Sequence, residues 1–366
     1  RSVMKSGLFW YYFEKSRFPA LVTEENLPPC STLYDKNHKT LLFRVMYYRK
    51  RINLEVYHAL SDGAGALQFL RTLVFHYITI KYKDAFKDKT PLLDIDASKT
   101  QKSDDSFQKY FKEEKIFPKK KPVKAYKLRG AKIPEYRFSV IEGVIPLDEI
   151  LPKVKEYKAS LTIFLAALLM CAINEEIPAR HKRKPVVLSI PVNLRNYFSS
   201  QTARNFYGVI NVDYDFSKGS GDLKDVIEVL KKRFKENLTP EALARRINRL
   251  ASLEHNAFLR VIPLALKNLA LRIAYIISDR SHTSTLSNVG IVNVPDDIKP
   301  YINSFDVFVS TNKLQACLCT YENKLRISFT SAFVSTEIQR RFFRSLTDMG
   351  IPLVIESNLV DEEEAL

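Results

Sequence analysis

Apolar positions recur along this chain with two different periods, and the switches between them mark out its elements. Residues 41–48 alternate apolar and polar, as do 52–58 through Ile52, Leu54 and Val56. Two strands flanking Arg49–Lys50–Arg51 in this way predict a hairpin. Residues 7–14, rich in aromatic side chains, read as a further strand. From 64 to 81 the period changes: Leu67, Leu70, Leu73, Val74 and Ile78 share the side of a helix. Residues 84–134 turn polar, lysine-rich and proline-punctuated, the pattern of an interlobe linker.

Order resumes at 136. Residues 138–145 alternate as a strand, and Pro146 opens a helix through 147–157 from its first turn, where a missing N–H costs little. Ser160 or Thr162 starts a second helix, 163–173, which is apolar all round and reads as a central core helix. Strands are expected at 186–192 and 206–216, with helices at 223–235 and 240–250. Residues 257–278 are broken by Arg260, Lys267 and Arg272, which predicts an amphipathic helix over a core rather than a membrane span. Interfacial membrane contact is the lesser reading. The last third predicts strands at 305–310, 314–321 and 324–330, with Glu322–Asn323 at a hairpin tip. A helix over 336–349 and a solvated acidic tail, 361–364, close the chain.

Composition adds boundaries to this picture. A chain of 366 residues, 46% hydrophobic and 27% charged, is ample for two lobes with a buried core. It opens on Arg1 without an apolar signal region, which suggests a fragment whose first strand and helix are missing. The four cysteines (Cys30, Cys171, Cys317, Cys319) make no disulfide framework, and Cys317 and Cys319 share one face of a strand. With six histidines and none at ligand spacing, no metal site is expected. A cytoplasmic protein without a transmembrane segment fits these features best. The net charge is +16, and half of it falls in residues 109–132, with ten Lys or Arg against Glu113 and Glu114. A solvated connector explains this run, while a phosphate-bearing ligand or an acidic partner would also suit it. Nucleic acid is set aside, because no recognition motif accompanies the lysines.

The chemistry concentrates in His58-Ala59-Leu60-Ser61-Asp62-Gly63. A strand delivers His58 to its end, a tight Asp-Gly turn follows, and a long helix begins. An imidazole held there takes a proton from an alcohol, amine or thiol near neutral pH. Far downstream, Pro191-Val192-Asn193-Leu194-Arg195 ends a buried strand. A buried Arg195 and a buried Asp62 each need a partner, and pairing them pins the histidine loop to the second half of the chain. Asp62 is then structural. His282, in a Ser/Thr-rich loop, reads as solvated, and His76 and His255 as helix residues.

With both motifs together, the chain resembles the CoA-dependent acyltransferase superfamily. This group includes chloramphenicol acetyltransferase, the plant BAHD enzymes, alcohol acetyltransferases and peptide-synthetase condensation domains. Residues 58–63 match its His-x-x-x-Asp-Gly signature. Residues 191–195 resemble the strand whose arginine pairs with the motif aspartate. Residues 160–168 resemble the helix opening the second lobe, and Asn205-Phe206-Tyr207-Gly208 the strand after it. Thr285-Leu286-Ser287-Asn288-Val289-Gly290 resembles the Ser-Asn-x-Gly stretch of alcohol acetyltransferase-like members. Two departures narrow the likeness: Tyr57 stands where condensation domains carry a first histidine, and the plant Asp-Phe-Gly-Trp-Gly motif is absent.

The resemblance implies an α+β fold of two chloramphenicol acetyltransferase-like lobes, each a mixed sheet covered by helices, over 1–125 and 135–366. The active site would lie in the tunnel between them. It further implies direct acyl transfer in a ternary complex, from acetyl-CoA or another acyl-CoA as co-substrate to an alcohol or amine, with no tightly bound cofactor. His58 would be the general base, and Ser287 or Asn288 the oxyanion donor, although both also fit a turn. Gly63 and Thr162 are further substrate-side candidates, with Thr162 alternatively a helix cap. An acyl carrier protein as donor, or a non-catalytic binding module, are the competing functional classes.

Overall fold

In the computed structural model, residues 2–35, 38, 40–87, 104–113, 124–134 and 137–358 are described. The first half supplies β1 (Ser2–Ser6), β2 (Tyr11–Lys15), β3 (Val22–Glu24), β4 (Phe43–Tyr48), β5 (Arg51–Val56), α1 (Gly63–Lys81) and a single turn, α2 (Ser106–Lys109). The second supplies β6 (Ser139–Pro146), α3 (Leu147–Glu156), α4 (Leu161–Glu175), β7 (Val186–Asn193), β8 (Tyr207–Tyr214), α5 (Leu223–Asn237) and α6 (Pro240–His255). It continues through α7 (Ala257–Val261), α8 (Leu264–Asp279), β9 (Ser284–Ile291), β10 (Leu314–Tyr321), β11 (Lys324–Ser331), α9 (Glu337–Asp348) and β12 (Val354–Ser357).

A seven-stranded mixed sheet runs β12-β6-β11-β10-β9-β7-β8, beside a three-stranded sheet β3-β4-β5 and a hairpin β1-β2. In the large sheet β9 is parallel to both β7 and β10, while the outer pairs are antiparallel. Helix α4 lies in the main core with nine buried residues, from Phe164 to Ile173, against β7, α5 and α9. A 15-residue helix that is apolar all round from Ile163 to Ile173 is stable in water only when covered in this way. Helix α1 has Phe69 edge-on to Phe43 of the small sheet, and it packs Phe75 and Ile78 against Val292, Val294 and Ile298.

Several sequence expectations change. The strand over 7–14 is instead a hairpin, because the Gly7 N–H bonds the Trp10 carbonyl at 2.8 Å and turns the chain. Residues 305–310 form no strand. Both edges of β10 and of β11 are already paired, so Phe305 is buried as a packing residue beside Tyr321. Pro146 is the N-cap of α3, not an interior residue of its first turn. Ser160, not Thr162, caps α4, its Oγ accepting from the Ile163 N–H at 3.3 Å.

The connector is not simply solvated where it is described. Gln108 reaches Glu254 and His255 at 2.7 Å, Phe107 meets Phe206, and Tyr126 is buried. Lys115, Lys119–Lys121 and the tail at 361–364 lie outside the described residues. His282 is half-buried rather than solvated. Burial pushes its imidazole down in pKa, and Lys313 donates to its carbonyl at 3.0 Å. The helix expected over 257–278 breaks at Ile262–Pro263 into α7 and α8, and α8 has no buried residue, so it does not lie over a core. Among the described residues no single helix is long and apolar enough to cross a membrane.

Candidate active site

The strand β5 ends at Val56, and the chain turns at once: the Leu60 N–H bonds the Tyr57 carbonyl at 2.8 Å. His58 therefore sits in this turn rather than on the strand, with its ring exposed and 5.3 Å from that of Tyr207. Asp62-Gly63 does not form the tight turn. Asp62 is the N-cap of α1, with Oδ1 accepting from the Gly65 N–H at 3.0 Å. Capping places this carboxylate at the positive end of a 19-residue helix.

The other carboxylate oxygen of Asp62 accepts from Arg195 Nη1 and from the Phe206 N–H, both at 2.8 Å. Arg195 is delivered by the end of β7. Its fork also donates from Nε to the Thr202 carbonyl at 3.0 Å and from Nη2 to the Arg204 carbonyl at 2.6 Å. The side chains of Arg195 and Asp62 are only 14% and 5% exposed, so both charges are compensated almost out of water.

Further bonds fasten the same loop. Ser61 Oγ donates to the Ala203 carbonyl at 2.6 Å, and Asn205 Nδ2 donates to the His58 carbonyl at 2.8 Å. Gly65 permits this closeness: a Cβ there would stand 2.2 Å from Ser61 Oγ and 2.5 Å from the Ala203 oxygen. Asn205 and Tyr207 were visible in the sequence only as part of an Asn-Phe-Tyr-Gly stretch, with no role attached. Burial, then the Asp62 charge, pushes the Tyr207 phenol up in pKa, so it remains a neutral hydroxyl beside the imidazole.

Ser287 and Asn288 lie on strand β9 and not in a turn. Asn288 Nδ2 donates to Thr162 Oγ1 at 2.9 Å, which gives Thr162 a partner on the second half of the sheet. The same strand approaches α1, since a Cβ on Gly63 would meet Val289 at 3.7 Å. The structure thus joins Asp62 and Arg195 directly at the start of α1, where Gly63 lies, and brings Asn288 and Thr162 together as a second pair at the first turn of α4. Beside His58, a groove of about 570 Å³ is lined by Met4, Tyr11, Tyr12, Phe13, Tyr34, Tyr57 and Ala59. Its rings of Tyr34 and Tyr57 stack at 5.5 Å. Such a wall is apolar with hydroxyl edges.

No protein-family model matches this sequence, and no curated protein matches it either. Solved structures do share its shape. TRI101 of F. graminearum, complexed with coenzyme A and T-2 mycotoxin, superposes with a TM-score of 0.56 at 11% identity, over 97% of this chain and 87% of that one. Polyketide synthase associated protein 5 from Mycobacterium tuberculosis gives 0.55 at 13% identity, over 94% and 85%. TRI3 trichothecene 15-O-acetyltransferase from Fusarium sporotrichioides gives 0.53 at 14%, over 86% and 70%. These likenesses show the fold: a mixed α+β architecture that this chain shares with acetyltransferases and a condensation domain.

Proposed function

We propose that this protein is an acyltransferase that moves an acyl group, acetyl in the simplest case, from a CoA thioester to an apolar alcohol or amine. The observation that carries the reading is the clamp of Asp62 by Arg195 and the Phe206 N–H, which fixes a turn presenting an exposed imidazole beside an aromatic groove. In this scheme neutral His58 removes the acceptor's proton as its oxygen or nitrogen attacks the thioester carbonyl. The tetrahedral oxyanion collapses, the C–S bond breaks, and the departing thiolate takes the proton back from the imidazolium. Ser287 Oγ and the second N–H of Asn288 Nδ2 are the proposed oxyanion donors. Asp62 and Arg195 position the loop and carry no proton. The two domains proposed for this chemistry are 1–125 and 135–366.

Thiol release from acetyl-CoA, measured over a panel of alcohols and amines, tests the reading. A positioned general base is worth roughly 10²–10⁴ in rate. His58→Ala should lose turnover by that factor with an unchanged melting temperature, and aromatic or aliphatic alcohols should outrank sugars. Equal turnover in wild type and His58→Ala would remove the base from the scheme. A carrier-protein donor is the second reading, favoured by the fold likeness to a polyketide synthase associated protein. An acyl carrier in place of acetyl-CoA distinguishes the two, and turnover with neither leaves only a binding module.

A further inference from the structure

Helix α8 is mounted inside out. Its polar side chains turn toward the protein: Lys267 Nζ donates to the Phe9 carbonyl at 2.9 Å, and Asn268 Nδ2 to Tyr11 Oη at 3.1 Å. Tyr275 Oη accepts from Asn312 Nδ2 at 3.0 Å, and Asp279 pairs with Lys313 at 2.9 Å. At about 100° per residue these four positions fall on one side of the helix. The opposite side carries Leu266, Leu269, Ile273, Ile276 and Ile277, which are between 43% and 59% exposed. A surface helix ordinarily buries its apolar stripe and shows its polar one to water.

The apolar surface extends beyond α8. Phe258 and Val261 of α7 are exposed at one end, and the tip of the β1-β2 hairpin, with exposed Leu8, Phe9 and Trp10, is attached to the start of α8. That tip is held in place by the Leu264 N–H on the Leu8 carbonyl at 2.8 Å, and Lys267 Nζ lies 3.5 Å from the centre of the Trp10 ring. Contiguous exposed apolar patches beyond a few hundred Å² are rare on proteins that stay free in water.

Charge selects what covers it. Residues 257–280 carry Arg260, Arg272 and Arg280 besides the inward-turned Lys267, against a single acid, Asp279, which is spent on Lys313. A two-fold contact between copies would set this cationic rim against itself, with no carboxylate to meet it. An anionic lipid surface supplies both complements, phosphates for the arginines and acyl chains for the leucines and isoleucines. We propose that α7, α8 and the β1-β2 tip form an interfacial membrane-binding surface that lies on an anionic bilayer without crossing it.

The chain's only tryptophan, Trp10, sits in this surface and reports on it. With vesicles containing 30% phosphatidylglycerol in phosphatidylcholine, the protein should co-sediment and its tryptophan emission should shift to the blue. Partitioning should fall at least tenfold with pure phosphatidylcholine or in the double variant Leu269→Glu, Ile273→Glu. Both substituted side chains are exposed, so the melting temperature should hold. Leu269→Met, Ile273→Leu should keep vesicle binding. A wild type that stays in the supernatant with anionic vesicles overturns the proposal. So does a wild-type dimer, seen by light scattering, that the double variant splits, because the occupant is then a second copy.

Discussion

Asp62 ties a helix start to the second half of the chain through a single carboxylate. One oxygen caps α1, and the other takes Arg195 and the Phe206 N–H. Removing one member of a nearly dry charge pair strands the other, at a cost of about 3–5 kcal/mol. Asp62→Ala should therefore lower the urea-unfolding free energy by that amount, and a loss under about 1 kcal/mol would show the pair to be inert. Arg195→Lys should lower it as well, because an ammonium cannot hold the Thr202 and Arg204 carbonyls together with the carboxylate. The approach of these two residues is foreshadowed in the sequence by elementary accounting: each is an isolated charge in an apolar context. The contributions of Asn205 and Ser61 are not, since a hydrogen bond to a distant carbonyl leaves no mark on spacing.

Among the elements, the start of α1 is closely packed against the 203–206 segment. Gly65→Ala drives a methyl into Ser61 Oγ and the Ala203 carbonyl, so the His58 turn and the 203–206 segment must separate. Overpacking of this kind costs roughly 1–3 kcal/mol. Calorimetry should show a lowered melting temperature, and turnover should fall with it; an unchanged Gly65→Ala protein would show that the two segments yield freely. Strand β9 and helix α8 show where sequence patterns stop. Ser-Asn-x-Gly has turn chemistry, and part of it survives: Gly290 has φ +83, its N–H bonds Asn288 Oδ1, and the β9-β10 register shifts nearby. Pairing with β10 nonetheless makes the segment a strand. For α8, periodicity identifies the residues that share a face, but nothing local says whether that face meets protein or solvent. The break at Pro263, which the expected single helix overlooked, follows from the proline's missing N–H and fixed φ.

Across the whole molecule, the outer strands of the large sheet are joined through one arginine. Arg326 of β11 pairs with Glu142 of β6 at 3.1 Å and with Glu356 of β12 at 2.8 Å. Burial, reinforced by Asp306, outweighs Arg326 and pushes the Glu142 carboxyl up to about 9 from an ordinary 4.5. The folded state therefore holds this proton more tightly than the unfolded chain does. The stability it contributes is complete below about pH 4.5 and is lost as pH rises through about 9. Glu142→Gln, which mimics the protonated form, should melt with wild type near the acid end. Its advantage should then grow up to about pH 9 and level off above; a difference independent of pH would mean that Glu142 is already ionised. The mixed sheets and the buried α4 are legible from apolar periodicity, because burial is what periodicity records. Strand order is not, since β9 reaches β10 only past the 292–313 segment and reaches β7 from the far side of β8, α5, α6, α7 and α8 in the chain.

Strand β9 is hydrogen-bonded along both edges, to β7 through Ser284 and Thr285 and to β10 from Thr285 onward. Sliding it by one position would break two ladders at once and turn Asn288 to the other face. Insertions in the loops on either side are thus absorbed without moving it. A replacement at 288 therefore changes a side chain on a fixed rail: Asn288→Ala should remove the bond to Thr162 while the strand beneath keeps its place.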